Sequence, residues 1–384
     1  GGGAAEEESL AKTLLYFYPL AGRLAISAEG VVYIDCNDTG ADFIEASAAA
    51  DIGLADVTTE KRGQCCSSAV CFECRDQYRR PVSAPLSCSG NEAERRACSG
   101  IHCKTMQFID GTSLWHFIKS WAQLCREPSS LTPCNSLPPL HTRSFCNTST
   151  PVNLNLHHFK TRTLHQNSPQ QFREKIFHFT SETIVALKKQ ANKSASKDET
   201  ISSFQALCAH IWQAITRARG ISSTEKTTFK LPVNCRPRLV PPLPRSYFGN
   251  AIQMVGATVA AGDLLERGLD HAARVLHRII SAHQDPNIRA ELEKPPTIIE
   301  IDKYIPKNCV SMGSSPRFPM YDSDFGWGRP VAARSGWTNK FDGKMSAYPG
   351  HEGSGSVDIE ICLLPKTMSV LESDPNFLFP WFED

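Results

Sequence analysis

Between residues 61 and 105 the chain almost stops supplying material for a core, and this limits what it can build. Ile, Leu, Val and Phe are reduced there to Val70, Phe72, Val82, Leu86 and Ile101, while arginine and cysteine rise. No period of 2 or 3.6 runs through the stretch, so neither a strand nor a helix has an apolar face to bury. The segment is expected not to form well-packed strands. A fold has to be assembled from the sequence on either side of it. At 384 residues the chain exceeds one comfortable hydrophobic core, and two domains are expected.

The flanking sequence is better patterned. Residues 9–24 (SLAKTLLYFYPLAGRL) start as a helix and end in a Pro-Leu-Ala-Gly turn. Residues 31–46 read as strand, turn, strand, with Val31 to Ile34 favouring β and Asn37, Asp38 and Gly40 the turn. From 112 to 125 Leu114, Phe117, Ile118, Trp121 and Leu124 recur at helical spacing. Asp110-Gly111 makes the turn before that helix, and Thr112 or Ser113 is its expected cap. Residues 127–170, rich in Pro, Ser, Thr and Asn, read as a linker. Helices are expected at 181–191 and 202–219, the second capped by serine and stopped at Gly220. Strands are expected at 229–234 and 251–260, a helix at 272–281, and mixed strand and loop to the end. No repeat of solenoid period is present.

Composition removes several classes of function. The net charge is +1, against the basic excess of a chain that binds phosphate backbones, so no nucleic-acid partner is expected. The longest apolar run, near 14–24, is too short to span a bilayer and ends at Arg23. Glu6, Glu7 and Glu8 replace the basic start of a secretory signal, and Gly1 suggests that the native start is missing. Fifteen cysteines would suit a disulfide framework only in a much shorter secreted chain. Seven of them fall between Cys65 and Cys103. Cys71 and Cys74 with Cys98, His102 and Cys103 offer zinc-type ligands, but the gap between the pairs fits no common ribbon, and no metal is assigned.

Several blocks in order resemble the BAHD family of acyl-CoA-dependent acyltransferases. They are YFYPLAGRL (16–24), DGTSLWHFIKSWAQL (110–124), ISSFQALCAHIWQAITRAR (201–219), RPRLVPPLPRSYFGNAI (236–252), DFGWG (324–328), NKFDGK (339–344) and YPGHEGSGSVDIEICL (348–363). The resemblance covers residues 9–60 and 107–384 and is nearest to the plant branch. It implies an α/β fold of two similar mixed-sheet domains with a channel through their interface. On this chain that means an N-terminal acyltransferase domain over 1–150, a crossover linker over 151–170 and a C-terminal domain over 171–384 carrying DFGWG. Acyl-CoA would be a co-substrate, with no permanently bound cofactor, and the acceptor a small alcohol or amine. A cytoplasmic monomer is implied. In the family a histidine four residues before the aspartate of an HxxxD motif is the general base, a role suited to an imidazole near working pH. The aspartate is an ion-pair partner that shapes the turn. Asp324, Phe325, Gly326, Trp327 and Gly328 would support the architecture, with Trp327 packed.

At the motif the chain departs from the family. Asp110 is in place, but the position of the base holds Met106, whose thioether accepts no proton at neutral pH. His102 has the wrong spacing. Only fifteen residues precede the YFYPLAGRL block, where the family has about fifty, so the first strand and helix of the N-terminal domain are expected to be absent. Shifting the reading frame within Lys104 to Phe108 permits Asn-His-Ala-Val ahead of Ile109-Asp110, which restores the motif. With the change of composition over 61–105, this favours a frameshifted or misassembled gene segment and an inactive chain. The alternatives are a non-catalytic binding protein with this fold, a pseudogene product that does not fold, and a metal protein built on the cysteines. Arg236 and Arg238 are both candidates to pair with Asp110. Among other histidines, His116 is read as a helix-surface or packing group, His210 as a satisfied core histidine, and His157 and His158 as solvent-facing.

Overall fold

A computed structural model describes residues 3–28, 31–41, 43, 46–47, 85–88, 96–99, 108–130, 137–142, 172–193, 199–294, 306–335 and 340–378. Met106, His102, His157, His158 and the zinc-type ligands other than Cys98 lie outside them, and of Cys98 only the backbone strand is described.

The N-terminal part opens with helix α1 (Gly3–Tyr16) and a 3-10 turn at Tyr18–Leu20, which match the helix and Pro-Leu-Ala-Gly turn read from sequence. Strand β1 (Arg23–Ile26) pairs antiparallel with β2 (Val32–Asp35). A second small sheet joins β3 (Ala46–Ser47), β4 (Pro85–Cys88) and β5 (Arg96–Ser99). The low-apolar segment thus contributes two short strands, held by backbone hydrogen bonds that need no apolar side chain. The sequence pattern makes β2 and β3 consecutive, yet each takes a different neighbour. Helix α2 (Gly111–Arg126) comes next. It buries Phe117, Ile118 and Trp121 in a cluster with Leu10, Phe17 and Leu20, and Leu124 is buried as well.

The C-terminal part is a six-stranded mixed sheet. Its strands are β6 (Arg173–Phe179), β7 (Lys226–Asn234), β8 (Ile252–Ala260), β9 (Cys309–Met312), β10 (Lys344–Pro349) and β11 (Val357–Leu363), in the order β6-β11-β10-β9-β7-β8. β9 runs parallel to both its neighbours, and the other pairs are antiparallel. The helices are α3 (Ser181–Ala191), α4 (Ser203–Arg219), α5 (Ala261–Glu266), α6 (Gly268–Ala282), α7 (Asp285–Leu292), α8 (Pro365–Glu372) and α9 (Pro375–Leu378). Alternate strand residues such as Phe229, Leu231, Met345, Ala347, Ile359 and Ile361 meet the apolar faces of α3, α4 and α6 in one continuous core. α4 is the pillar of that core. Ser202 and Gln205 form a reciprocal capping box, and Gly220 ends the helix in a left-handed conformation (φ 59°). Its Trp212 is fully buried and donates its indole N–H to Thr227 Oγ1 at 3.0 Å. Among the described residues the two parts differ, because the N-terminal one has two small sheets where the C-terminal one has six strands together.

Candidate active site

Asp110 is where the site is built. It caps α2, its Oδ1 accepting from the Ser113 backbone N–H at 3.0 Å. The same buried carboxylate receives the Arg236 guanidinium in two-pronged fashion, Nη1 to Oδ2 at 2.5 Å and Nη2 to Oδ1 at 3.1 Å. The Ala251 N–H adds a third donor at 2.8 Å. Arg236 Nη2 also reaches Ser113 Oγ at 3.0 Å and the Tyr247 and Gly249 carbonyls at 3.2 and 3.1 Å. Ser113 Oγ in turn donates to the Gly249 carbonyl at 2.8 Å and accepts from the Gly249 N–H at 3.0 Å. Segment 247–251 of the C-terminal part is therefore clasped to the start of α2. The oxygens of Asp110 are thus committed to Arg236, Ser113 and Ala251. Arg238, the other candidate partner, donates instead to the Ile280 and His283 carbonyls at 2.7 and 2.8 Å.

The opposite end of α2 is held by the DFGWG turn. Asp324 Oδ1 accepts from the N–H groups of Gly326 and Gly328 at 2.7 and 3.0 Å, and both glycines have positive φ, 103° and 95°. Arg126, in the last turn of α2, donates to the Asp324 carbonyl. Phe325 sets its edge against the buried Trp121, ring centroids 4.9 Å apart. Trp327, expected to be the packed residue, is 46% exposed and merely stacks on Phe325 at 5.9 Å. The anchoring ring is Phe325, because only it reaches the helix.

Beside the Asp110 clasp lies a cavity of about 290 Å³, walled by Tyr18, Phe108, Ile109, His141, Phe248 and Gly249 among others. Phe108 on this wall opens the described stretch that leads to Asp110.

The Transferase family model matches residues 6–71 and 100–378. The chain belongs to the BAHD acyltransferase family. The unmatched residues 72–99 fall inside the stretch that is poor in apolar side chains. Among curated relatives, a BAHD acyltransferase DCR of Arabidopsis thaliana is 35% identical over 97% of this chain and 79% of its own length. An omega-hydroxypalmitate O-feruloyl transferase of Arabidopsis thaliana is 28% identical over 85% of this chain and 71% of its own length. An anthranilate N-benzoyltransferase protein 2 of Dianthus caryophyllus is 27% identical over 95% and 83%. In fold the chain is similar to vinorine synthase, with a TM-score of 0.68 and 22% identity over 98% of this chain and 84% of that one. It is also similar to F. sporotrichioides TRI101, solved with coenzyme A and T-2, with a TM-score of 0.67 and 17% identity over 97% and 89%.

Within this BAHD fold the histidines separate by setting. His116 packs edge-on against Phe17 at 5.2 Å, and burial lowers its pKa. His210 is buried in the C-terminal core, stacked on Phe377 and bonded to its carbonyl at 3.3 Å, and burial pushes it down to about 4. His141 is different, since it lies on the cavity wall. In the sequence it falls within the linker, where no motif marks it.

Proposed function

We propose that this chain is built to move an acyl group from acyl-CoA to an alcohol or amine acceptor by general-base catalysis. The observation that carries the reading is the clasp of Asp110, Arg236 and Ser113, which fixes the turn after position 106 beside a cavity. Fixed geometry of that kind is what a proton-transfer group needs. Acyl-CoA is a co-substrate in this reading, and no cofactor is bound permanently. The protein works as a cytoplasmic monomer without nucleic-acid or membrane partners. Its halves, 1–150 and 171–384, are the two acyltransferase domains, and the DFGWG residues Asp324 to Gly328 are structural. Relatives named for O-feruloyl and N-benzoyl transfer support an oxygen or nitrogen acceptor.

Met106 favours a second reading, that the fold persists here with its chemistry impaired. A positioned base contributes about 10²–10⁴-fold in rate, and a thioether cannot supply it. The damage is traced to a shifted reading frame ahead of Asp110, and an independent transcript that still encodes Met106 and the cysteine-rich stretch would remove that explanation. The functional test compares this chain with Met106→His for CoA release, using mixed acyl-CoAs and a panel of alcohols and amines. Met106→His is expected to gain about 10²–10⁴-fold. If neither protein releases CoA above the uncatalysed rate, the acyltransferase reading is wrong.

A further inference from the structure

We infer that a cleft in the C-terminal part is a second binding site, and that it takes a small uncharged polyol. The inference does not depend on the acyltransferase reading. The cleft has a volume of about 210 Å³ and shares no lining residue with the cavity beside Asp110. Its polar wall is Gln190 of α3, His210, Gln213 and Arg217 of α4, and Asn376 of α9. Spacings of three and four put the α4 residues on one face of a helix whose other faces are packed in the apolar core.

His210 is the group that points to a ligand. It is 7% exposed, and its Nε2 lies 3.3 Å from the Phe377 carbonyl oxygen. A carbonyl only accepts, so Nε2 carries the hydrogen and Nδ1 holds the lone pair. Burial pushes the pKa of the ring down to about 4, so it is neutral at working pH. Nδ1 has no hydrogen-bond partner among the described residues, and it is open to the cleft rather than sealed in the core. One turn further along α4, Gln213 donates its Nε2 hydrogen to the Leu264 carbonyl at 2.7 Å, which leaves Oε1 as an acceptor. Two acceptors on one helix face thus look into the cleft, and each needs a donor from what fills it.

Charge narrows what that occupant is. Arg217 is matched by Asp374, whose Oδ2 accepts from Nε at 2.9 Å and from Nη2 at 2.6 Å. A cation would meet the guanidinium, and an anion would meet the carboxylate and the two lone pairs. A hydroxyl meets neither difficulty. It donates to Nδ1 or Oε1, and it can accept from the carboxamides of Gln190 and Asn376. A molecule with several hydroxyls does this at once and displaces the roughly seven waters that the volume would hold at about 30 Å³ each.

The experiment titrates the unaltered chain, isotopically labelled at the histidine ring nitrogens, with myo-inositol and with glycerol. Trimethylamine N-oxide, an osmolyte without a hydroxyl donor, controls for general exclusion from the protein surface. Uptake is measured by equilibrium dialysis of the radiolabelled polyols, and the ring nitrogens are followed by NMR. The expectation is saturable uptake of one polyol per chain, with the His210 Nδ1 signal moving along the same curve and unmoved by trimethylamine N-oxide. His210→Phe keeps a flat ring on Phe377 without the acceptor, and Gln213→Leu removes the second acceptor. Each is expected to weaken binding at least about fivefold, with melting curves to check folding. Absence of saturable uptake overturns the proposal and leaves water as the occupant of the cleft. So does an Nδ1 signal that stays fixed at saturation, a reading on the unaltered chain that needs no variant to fold. Undiminished binding by folded His210→Phe overturns it as well.

Discussion

Asp110 and Arg236 show how one ion pair can do more for position than for stability. Taking two charges out of water is costly, and such a pair persists when its remaining groups find partners. Here the carboxylate is satisfied from three directions, and Arg236 binds two carbonyls besides. Arg236→Ala would strand a buried carboxylate, and we expect it to cost about 3–5 kcal/mol in urea unfolding. Arg238→Ala, which loses only carbonyl contacts at a half-buried site, should cost roughly 1 kcal/mol. His210 gives a pH signature. Its imidazole is held down at about 4 by burial, while an unfolded chain binds that proton near the ordinary value of about 6.5. Between those values the unfolded state holds more protons, so stability falls as pH drops from about 6.5 to about 4 and is greatest above that window. His210→Gln should flatten this slope in melts across the same range.

The elements show why some of the architecture could be read from sequence and some could not. α2, α3 and α4 were legible from apolar spacing, and for α4 the caps agree as well, Ser202 and Gly220 at its two ends; for α2 the cap is Asp110 and not Thr112 or Ser113, because the carboxylate of the turn itself reaches the Ser113 N–H. β6 was missed, since only Phe177 and Phe179 in it are fully buried and a polar linker runs into it. α8 was missed because Pro365 reads as a breaker, although a proline fits the first turn of a helix well. At the site, Asp110 could be placed by its motif but its partner could not. Arg236 and Arg238 lie beyond β7, where Arg238 N–H turns back to the Cys235 carbonyl and strand alternation no longer decides which side chain points inward. In the DFGWG turn the sequence singled out the larger ring. The geometry predicts the reverse order, with Phe325→Ala costing about 2–3 kcal/mol and Trp327→Ala about 1 kcal/mol or less in thermal or urea melts.

At the scale of the molecule the apolar core is unevenly shared among the described residues. The C-terminal cluster runs from Phe177 to Phe377 through the helices and the sheet, whereas the N-terminal cluster gathers a handful of residues around Phe17, Phe117 and Trp121. Regions with less buried apolar surface open at lower free energy. Hydrogen exchange is therefore expected to be slowest in α4 and clearly faster in α2, and equal protection of the two would contradict this. The parts meet where Asp110 takes Arg236, where Phe318 covers Gly111 so closely that an added Cβ would lie 2.5 Å from its ring, and where Arg126 reaches Asp324. Each contact joins distant stretches of chain. A polypeptide cut in the linker between 142 and 172 would keep all of them available, so separately expressed halves should recognise each other, with the Arg236 guanidinium as the plug and the Asp110 turn as the socket.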